Sequence, residues 1–118
     1  MFTGMKLTTI GIELNTYLIA NNLPLTISKM KIGDGNSDTY DRTLLVSPKM
    51  ETLVESVTAR NNSNLVRATF TNENLQTGFD VREVGIMAVD PRSNEEILYS
   101  YDNAGSGDVD FFEAGNGL

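Results

Sequence analysis

Apolar and polar positions divide the chain into one helical stretch and several strand-like runs. In Lys6–Asn21, the residues Leu7, Ile10, Leu14, Tyr17 and Leu18 recur at the i, i+3, i+4 spacings of one core-facing stripe, which predicts the only long helix. Thr3 is the expected N-cap, and Asn21-Asn22 followed by Pro24 is a stop signal. A second, narrower stripe is formed by Met5, Ile12 and Ile19, seven residues apart. Thr9, Glu13 and Thr16 separate it from the first on one side, Thr8 and Asn15 on the other. Either a neighbouring part of the same chain or another subunit has to cover it, because a helix apolar on two sides must be buried on both.

The rest of the chain reads as strands and turns. Leu25–Ile32 is a short β-prone run closed by the turn residues Gly33-Asp34-Gly35-Asn36. Residues 36–42 are a polar loop, and Thr43–Val46 to Pro48 is a short apolar connector. Leu53–Arg60 and Leu65–Thr71 pair as a hairpin through Asn61-Asn62-Ser63-Asn64, with Val66, Ala68 and Phe70 facing in. Phe79–Asp90 is the central strand: from Val84 onward both of its faces are apolar, so both are covered. Gly85 in its middle marks a close approach by a neighbour. Asp90-Pro91-Arg92-Ser93 fits a type I turn, and Glu96–Tyr101 returns with Ile97, Tyr99 and Tyr101 on one face. After Asn103 the glycine-rich, aperiodic remainder reads as loop or linker. The expected fold is α+β: one N-terminal helix packed on a mainly antiparallel sheet, with residues 1–103 as the domain and 104–118 as a glycine-rich acidic linker or the start of a following segment.

Composition narrows the chemistry. A chain of 118 residues, 40% apolar, is long enough for one core. It has no 18-residue apolar run and no basic-then-apolar leader, so neither membrane insertion nor a signal peptide is expected. With no Cys and no His, disulfides, thiolate nucleophiles, imidazole bases and nearly all zinc sites drop out. The net charge of −7 is concentrated at one end: residues 90–118 carry seven acids against Arg92 alone. Such an end repels a phosphate backbone, so nucleic acid is not an expected partner. It is either a solvated acidic end or a docking segment for a basic partner.

The candidate constellations fail one by one. Gly33-Asp34-Gly35 lacks the third glycine and the helix that a dinucleotide fingerprint requires. Asp34-x-Asn36-x-Asp38 begins like a calcium loop, but Thr39 and Leu45 stand where Gly and a bidentate Glu belong. Asp108, Asp110 and Glu113 lie on a glycine-rich platform unsuited to holding two carboxylates at fixed separation. Asn61-Asn62-Ser63 is a formal sequon that reads as a polar turn. Tyr99, Tyr101, Phe111 and Phe112 could form a sugar-binding shelf, although such aromatics more often fill a core or interface. Arg82-Glu83 point to opposite faces of a strand, so each needs its own partner, with exposed ion contacts as the simplest reading. No catalytic, cofactor-binding or metal residues are expected, and the chain reads as a non-enzyme.

Two segments, LTISKMKIGDGN (Leu25–Asn36) and FDVREVGIMAVD (Phe79–Asp90), together resemble the N-terminal domain of phage tail-collar fibre proteins. Lys29, Gly33, Asp34, Gly35, Arg82, Glu83, Val84, Gly85 and Asp90 carry the resemblance, over roughly residues 5–103. In that family a further β segment follows the glycine-rich part, and the sequence reaches Leu118 before it. The resemblance implies a domain of the virion tail that anchors a fibre to the baseplate or tail tip. It also implies a homotrimer, with any host-surface receptor bound by residues beyond this chain. Met5, Ile12 and Ile19 then become candidate interface residues, and the GDG and REVG motifs become a tight turn and ion contacts that fix strand ends.

Overall fold

The structure, a computed structural model, describes residues 6–36, 41–60, 63–71, 75, 77–103 and 110–113. A short strand β1 (Lys6–Leu7) leads directly into helix α1 (Thr9–Ala20). The strands β2 (Ile27–Gly33), β3 (Pro48–Leu53), β7 (Glu83–Asp90) and β8 (Glu95–Asn103) join β1 in one five-stranded sheet of order β1-β8-β7-β2-β3. Between β3 and β7 come β4 (Ser56–Arg60), β5 (Ser63–Arg67) and β6 (Phe79–Val81), and β9 (Asp110–Phe112) follows β8. β4 pairs with β5 and β6 with β9, and every pairing among the described residues is antiparallel. The expected α+β architecture, one helix on a mainly antiparallel sheet, is the one observed.

The helix begins later than its periodicity suggests. Its N-cap is Thr8, whose hydroxyl accepts from the backbone N–H of Gly11 at 2.9 Å. The same hydroxyl donates to the Leu98 carbonyl at 2.5 Å, and the Thr8 N–H donates to the Tyr99 carbonyl at 3.0 Å. Leu7 and Lys6 are held in β1 opposite Ser100 and Tyr101, so Leu7 belongs to the sheet rather than to the helical stripe. The expected cap Thr3 lies outside the described residues. At the other end Asn22 adopts a left-handed φ of 54°, and Leu23 N–H returns to the Leu18 carbonyl at 2.9 Å, a Schellman closure supplied by the Asn21-Asn22 signal.

β7 lies third of five strands and is covered on both faces, as its two-sided apolar pattern requires. On one face Ala88 packs against Leu14 and Leu18 of the helix, with Tyr17, Leu25, Ile97 and Tyr99 around them. On the other, Met87 packs with Leu45, Leu98 and Tyr101. Gly85 sits where that second cluster closes: a Cβ there would meet Leu45 Cδ1 at 2.5 Å and Leu98 Cδ1 at 2.7 Å. The apolar connector 43–46 therefore supplies Leu45 to the core while remaining irregular.

Several strand readings change. Phe79–Asp90 is two strands broken at Arg82, because β6 leaves the main sheet to pair with β9. Pro48–Leu53 forms β3, and the strand expected from Leu53 begins only at Ser56. Ser63 and Asn64, expected in a loop, lie in β5, while Asn61 and Asn62 lie outside the described residues. Tyr99 and Tyr101 do not share a face. Ile86 pairs with Ser100 but Met87 with Leu98, so Tyr99 is the extra residue of a bulge and the alternation reverses after it. Asp110–Phe112, within the stretch expected to be a linker, is a strand whose Phe112 ring stacks on Phe79 at 5.8 Å.

Candidate functional site

The polar centre of the molecule is Glu83, at the first position of β7, and its side chain is completely buried. One carboxylate oxygen, Oε1, accepts from the Val46 N–H at 2.8 Å and from the Tyr101 hydroxyl at 2.9 Å. The other, Oε2, accepts from Ser47 N–H at 2.8 Å and Gly35 N–H at 3.1 Å. A carboxylate buried without a cation is tolerated when several donors satisfy it, and four do so here. The donors come from three places: the turn after β2, the irregular loop before β3, and the return strand β8. Glu83 is thus a staple between segments distant in sequence.

This geometry explains the glycines of the first motif. A Cβ on Gly33 would lie 2.3 Å from the Ser47 carbonyl oxygen and 2.6 Å from Glu83 Oε2. On Gly35 it would lie 2.4 Å from Val46 Cβ and 2.8 Å from Glu83 Oε2. The backbone can pass this close to a carboxylate only without side chains. Gly33-Asp34-Gly35 and Arg82-Glu83 are therefore one assembly. The sequence placed both motifs, but the expectation that Glu83 makes an ion contact is wrong: it forms no salt bridge among the described residues. Arg82 does pair, with Asp80 at 3.2 Å on the surface, and its N–H donates to the Gly33 carbonyl at 2.9 Å. Asp34 faces Lys49 at 3.9 Å, a weak exposed contact.

Lys29 points to the opposite end of the β2 register, where it meets Glu51 at 3.0 Å and Glu96 at 3.3 Å. The hydrogen bonds that its ammonium donates to these carboxylates, Glu51 first, raise it above the ordinary lysine value. Glu96 is held below the ordinary carboxylate range chiefly by the Ser28 hydroxyl, with Lys29 adding to it. These side chains are partly exposed, so solvent screens them and they set register more than stability.

Asp90 closes β7 and grips the turn. It accepts from the Arg92 guanidinium at 2.9 and 3.0 Å and from the Arg92 N–H at 2.9 Å, and the guanidinium lies 4.6 Å above the Tyr17 ring. The expected turn is present, with Ser93 N–H bonded to the Asp90 carbonyl at 3.3 Å and Asn94 left-handed. Arg92 holds the Asp90 carboxyl below its ordinary value of 3.8. A lowered folded-state value means that the contribution to stability is complete above about pH 3.8 and is lost as pH falls through the lowered value. The gap in thermal midpoint between wild type and Asp90→Asn is therefore expected to be widest at neutral pH and to shrink below pH 3.8; a pH-independent gap would show that Asp90 acts by packing alone.

The remaining candidates are not brought together. Tyr101 is fully buried, with its hydroxyl spent on Glu83. Tyr99 packs on the helix side, where burial raises its hydroxyl above the ordinary value and Asn15 accepts from it at 3.3 Å. Phe112 stacks on Phe79, so these aromatics form no common shelf; the Phe111 side chain lies outside the described residues. Asp38, Thr39 and Asp108 also lie outside them, as does the Asp110 side chain. On the helix, Ile12 is 53% and Ile19 73% exposed, so no described part of the chain covers the second stripe; Met5 lies outside the described residues.

A helix-backed sheet whose buried carboxylate is consumed in holding its own loops defines a structural module, rigid at its centre and apolar in patches on its surface. The profile of the phage tail-collar fibre protein N-terminal domain matches residues 2–92, and the chain belongs to that family. Membership carries a structural role in a phage tail fibre, as a component of the virion tail. All nine residues that carry the resemblance fall within the matched span, and the staple joins three of them, Glu83 itself with Gly33 and Gly35, through contacts or close approach. No curated protein and no solved structure matches the chain.

Proposed function

We propose that this domain is the anchoring end of a tail fibre, working as a homotrimer that attaches the fibre to the baseplate or tail tip and so supports host attachment without catalysing a reaction. The observation that carries this reading is the exposed stripe of Ile12 and Ile19, on a helix whose opposite side is packed into the core. Closed homo-oligomers repeat one patch around an axis, and an aliphatic stripe on a short rigid helix is suited to that use. The Glu83 staple suits it too, since a bound surface loses less freedom on assembly when its loops are already fixed. In this reading residues beyond this chain bind any host receptor, and Lys29, Gly33, Asp34, Gly35, Arg82, Glu83 and Gly85 hold the shape.

The test is the mass of the domain in solution by light scattering, for wild type and for Ile12→Glu. A trimer that falls to monomer in the variant, with an unchanged circular dichroism spectrum, is the expected result. A folded monomer in both cases would remove the trimer from the proposal and leave the stripe as a surface for another tail protein.

A further inference from the structure

We infer that the outward face of α1 is a coiled-coil seam that packs in parallel against the same face of two further copies of the chain. Thr9 and Thr16 stand at its a positions, Ile12 and Ile19 at its d positions. The inference rests on the trimeric reading above and adds how the copies meet. All four residues are exposed, and their spacings of three, four and three are those of a heptad repeat. Leu14 and Leu18, buried in the core, lie on the opposite side of the helix, so the fold turns the whole seam outward.

The residue types at the seam select three strands. Parallel dimers prefer leucine at d, whereas isoleucine there shifts the preference to trimers and tetramers. Helices that meet along a rotation axis run in the same direction, which is the arrangement this rule describes. Threonine at an a position ordinarily brings a hydroxyl into the contact with nothing to bond. Here the Thr16 hydroxyl donates to the Ile12 carbonyl, one turn earlier, at 3.0 Å. Its polar atom already has a partner, so covering the side chain costs little. Charge allows the approach. The chain carries a net −7, yet Glu13 is the only charged residue of the helix, and Arg92 of its own chain attracts it. Like-charged copies can meet only on a neutral surface, and this face is the neutral one of the helix exterior.

The chain has no cysteine, so Thr16→Cys places a single thiol in one layer of the seam. Mild oxidation is expected to join residue 16 of one copy to residue 16 of another, read by non-reducing electrophoresis and mass spectrometry. In a threefold seam two thiols pair and the third is left over, so titration should find one free thiol for every three chains. Thr26→Cys, exposed and off the helix, is the control and should stay reduced. Thr16→Ile puts isoleucine at both a and d, and is expected to tighten association roughly tenfold in a dilution series followed by light scattering. A trimer without the 16–16 link, one that links equally at residue 26, or one that Thr16→Ile does not tighten overturns the seam and leaves the trimer reading intact. Complete loss of free thiol marks a two-stranded contact, and a monomer marks none; either overturns both.

Discussion

Glu83→Ala is expected to destabilise the fold by about 3–5 kcal/mol, because it strips the acceptor from one buried and three part-buried donors at once. Each hydrogen bond to a charged acceptor contributes about 1.5–3 kcal/mol, and a buried donor left unpaired costs about 1–3 kcal/mol. The donors are the N–H groups of Gly35, Val46 and Ser47 and the Tyr101 hydroxyl. Some relaxation and water entry limit the loss to below the sum. For a chain of 118 residues, 1 kcal/mol corresponds to about 4 °C, so the midpoint is expected to fall by about 12–20 °C. Glu83→Gln should lose about half as much, for a reason that lies in the geometry. Its amide nitrogen fits best at the Oε1 position, where the Tyr101 hydroxyl can turn to accept and only the Val46 N–H faces a donor. Tyr101→Phe removes one donor and its bond together, and should cost least, about 1 kcal/mol. Denaturant unfolding gives the ranking Ala, Gln, then Tyr101→Phe. A Glu83→Ala protein within 1 kcal/mol of wild type would show that the loop N–H groups reach water, and the staple would lose its meaning.

The sequence revealed the framework of this assembly but not its purpose. Periodicity located the helix, and the two-sided apolar run located β7 and the need for cover on both its faces. The GDG and REVG motifs are both visible in the sequence, and Gly85 marks a close approach there as it does in the fold. What could not be read was that Glu83 joins them, because two of its donors are backbone N–H groups of an irregular loop that carries no periodic signal. An acidic residue next to an arginine reads as an ion-pair former, and only the fold shows that it is fully buried. The same limit hid β3: its outward residues Lys49, Glu51 and Leu53 mix charge with an exposed leucine, so the pattern pointed to a strand starting later. The bulge at Tyr99 is a property of pairing rather than of one strand, and it carried Tyr101 to the face where its hydroxyl meets Glu83. β9 has three residues among glycines, too few for alternation to register.

The bulge has a second consequence, and it reverses the usual sign of a substitution. Replacing a helical glycine with alanine ordinarily stabilises a helix by about 1 kcal/mol. Gly11→Ala is expected instead to destabilise this protein by about 2–3 kcal/mol, a fall of roughly 8–12 °C. A Cβ on Gly11 would stand 2.1 Å from the Tyr99 carbonyl oxygen and 3.0 Å from its carbon. Neither atom is free to move, since that carbonyl accepts from the Thr8 N–H at 3.0 Å and lies on the bulged turn of β8. The first turn of the helix has to lift, which stretches the bonds from Thr8 to both Leu98 and Tyr99 and loosens the cap itself. Gly85→Ala is the informative contrast. Its Cβ also has close neighbours, but they are the Cδ1 tips of Leu45 and Leu98, which can rotate, so its loss should be smaller than that of Gly11→Ala. Thr16→Ala, on the exposed side of the same helix, should stay within about 0.5 kcal/mol of wild type. Thermal unfolding of the three variants decides the matter. A midpoint raised by Gly11→Ala would mean that the helix slides freely over β8, and that Thr8 is an ordinary cap rather than the clasp between helix and sheet.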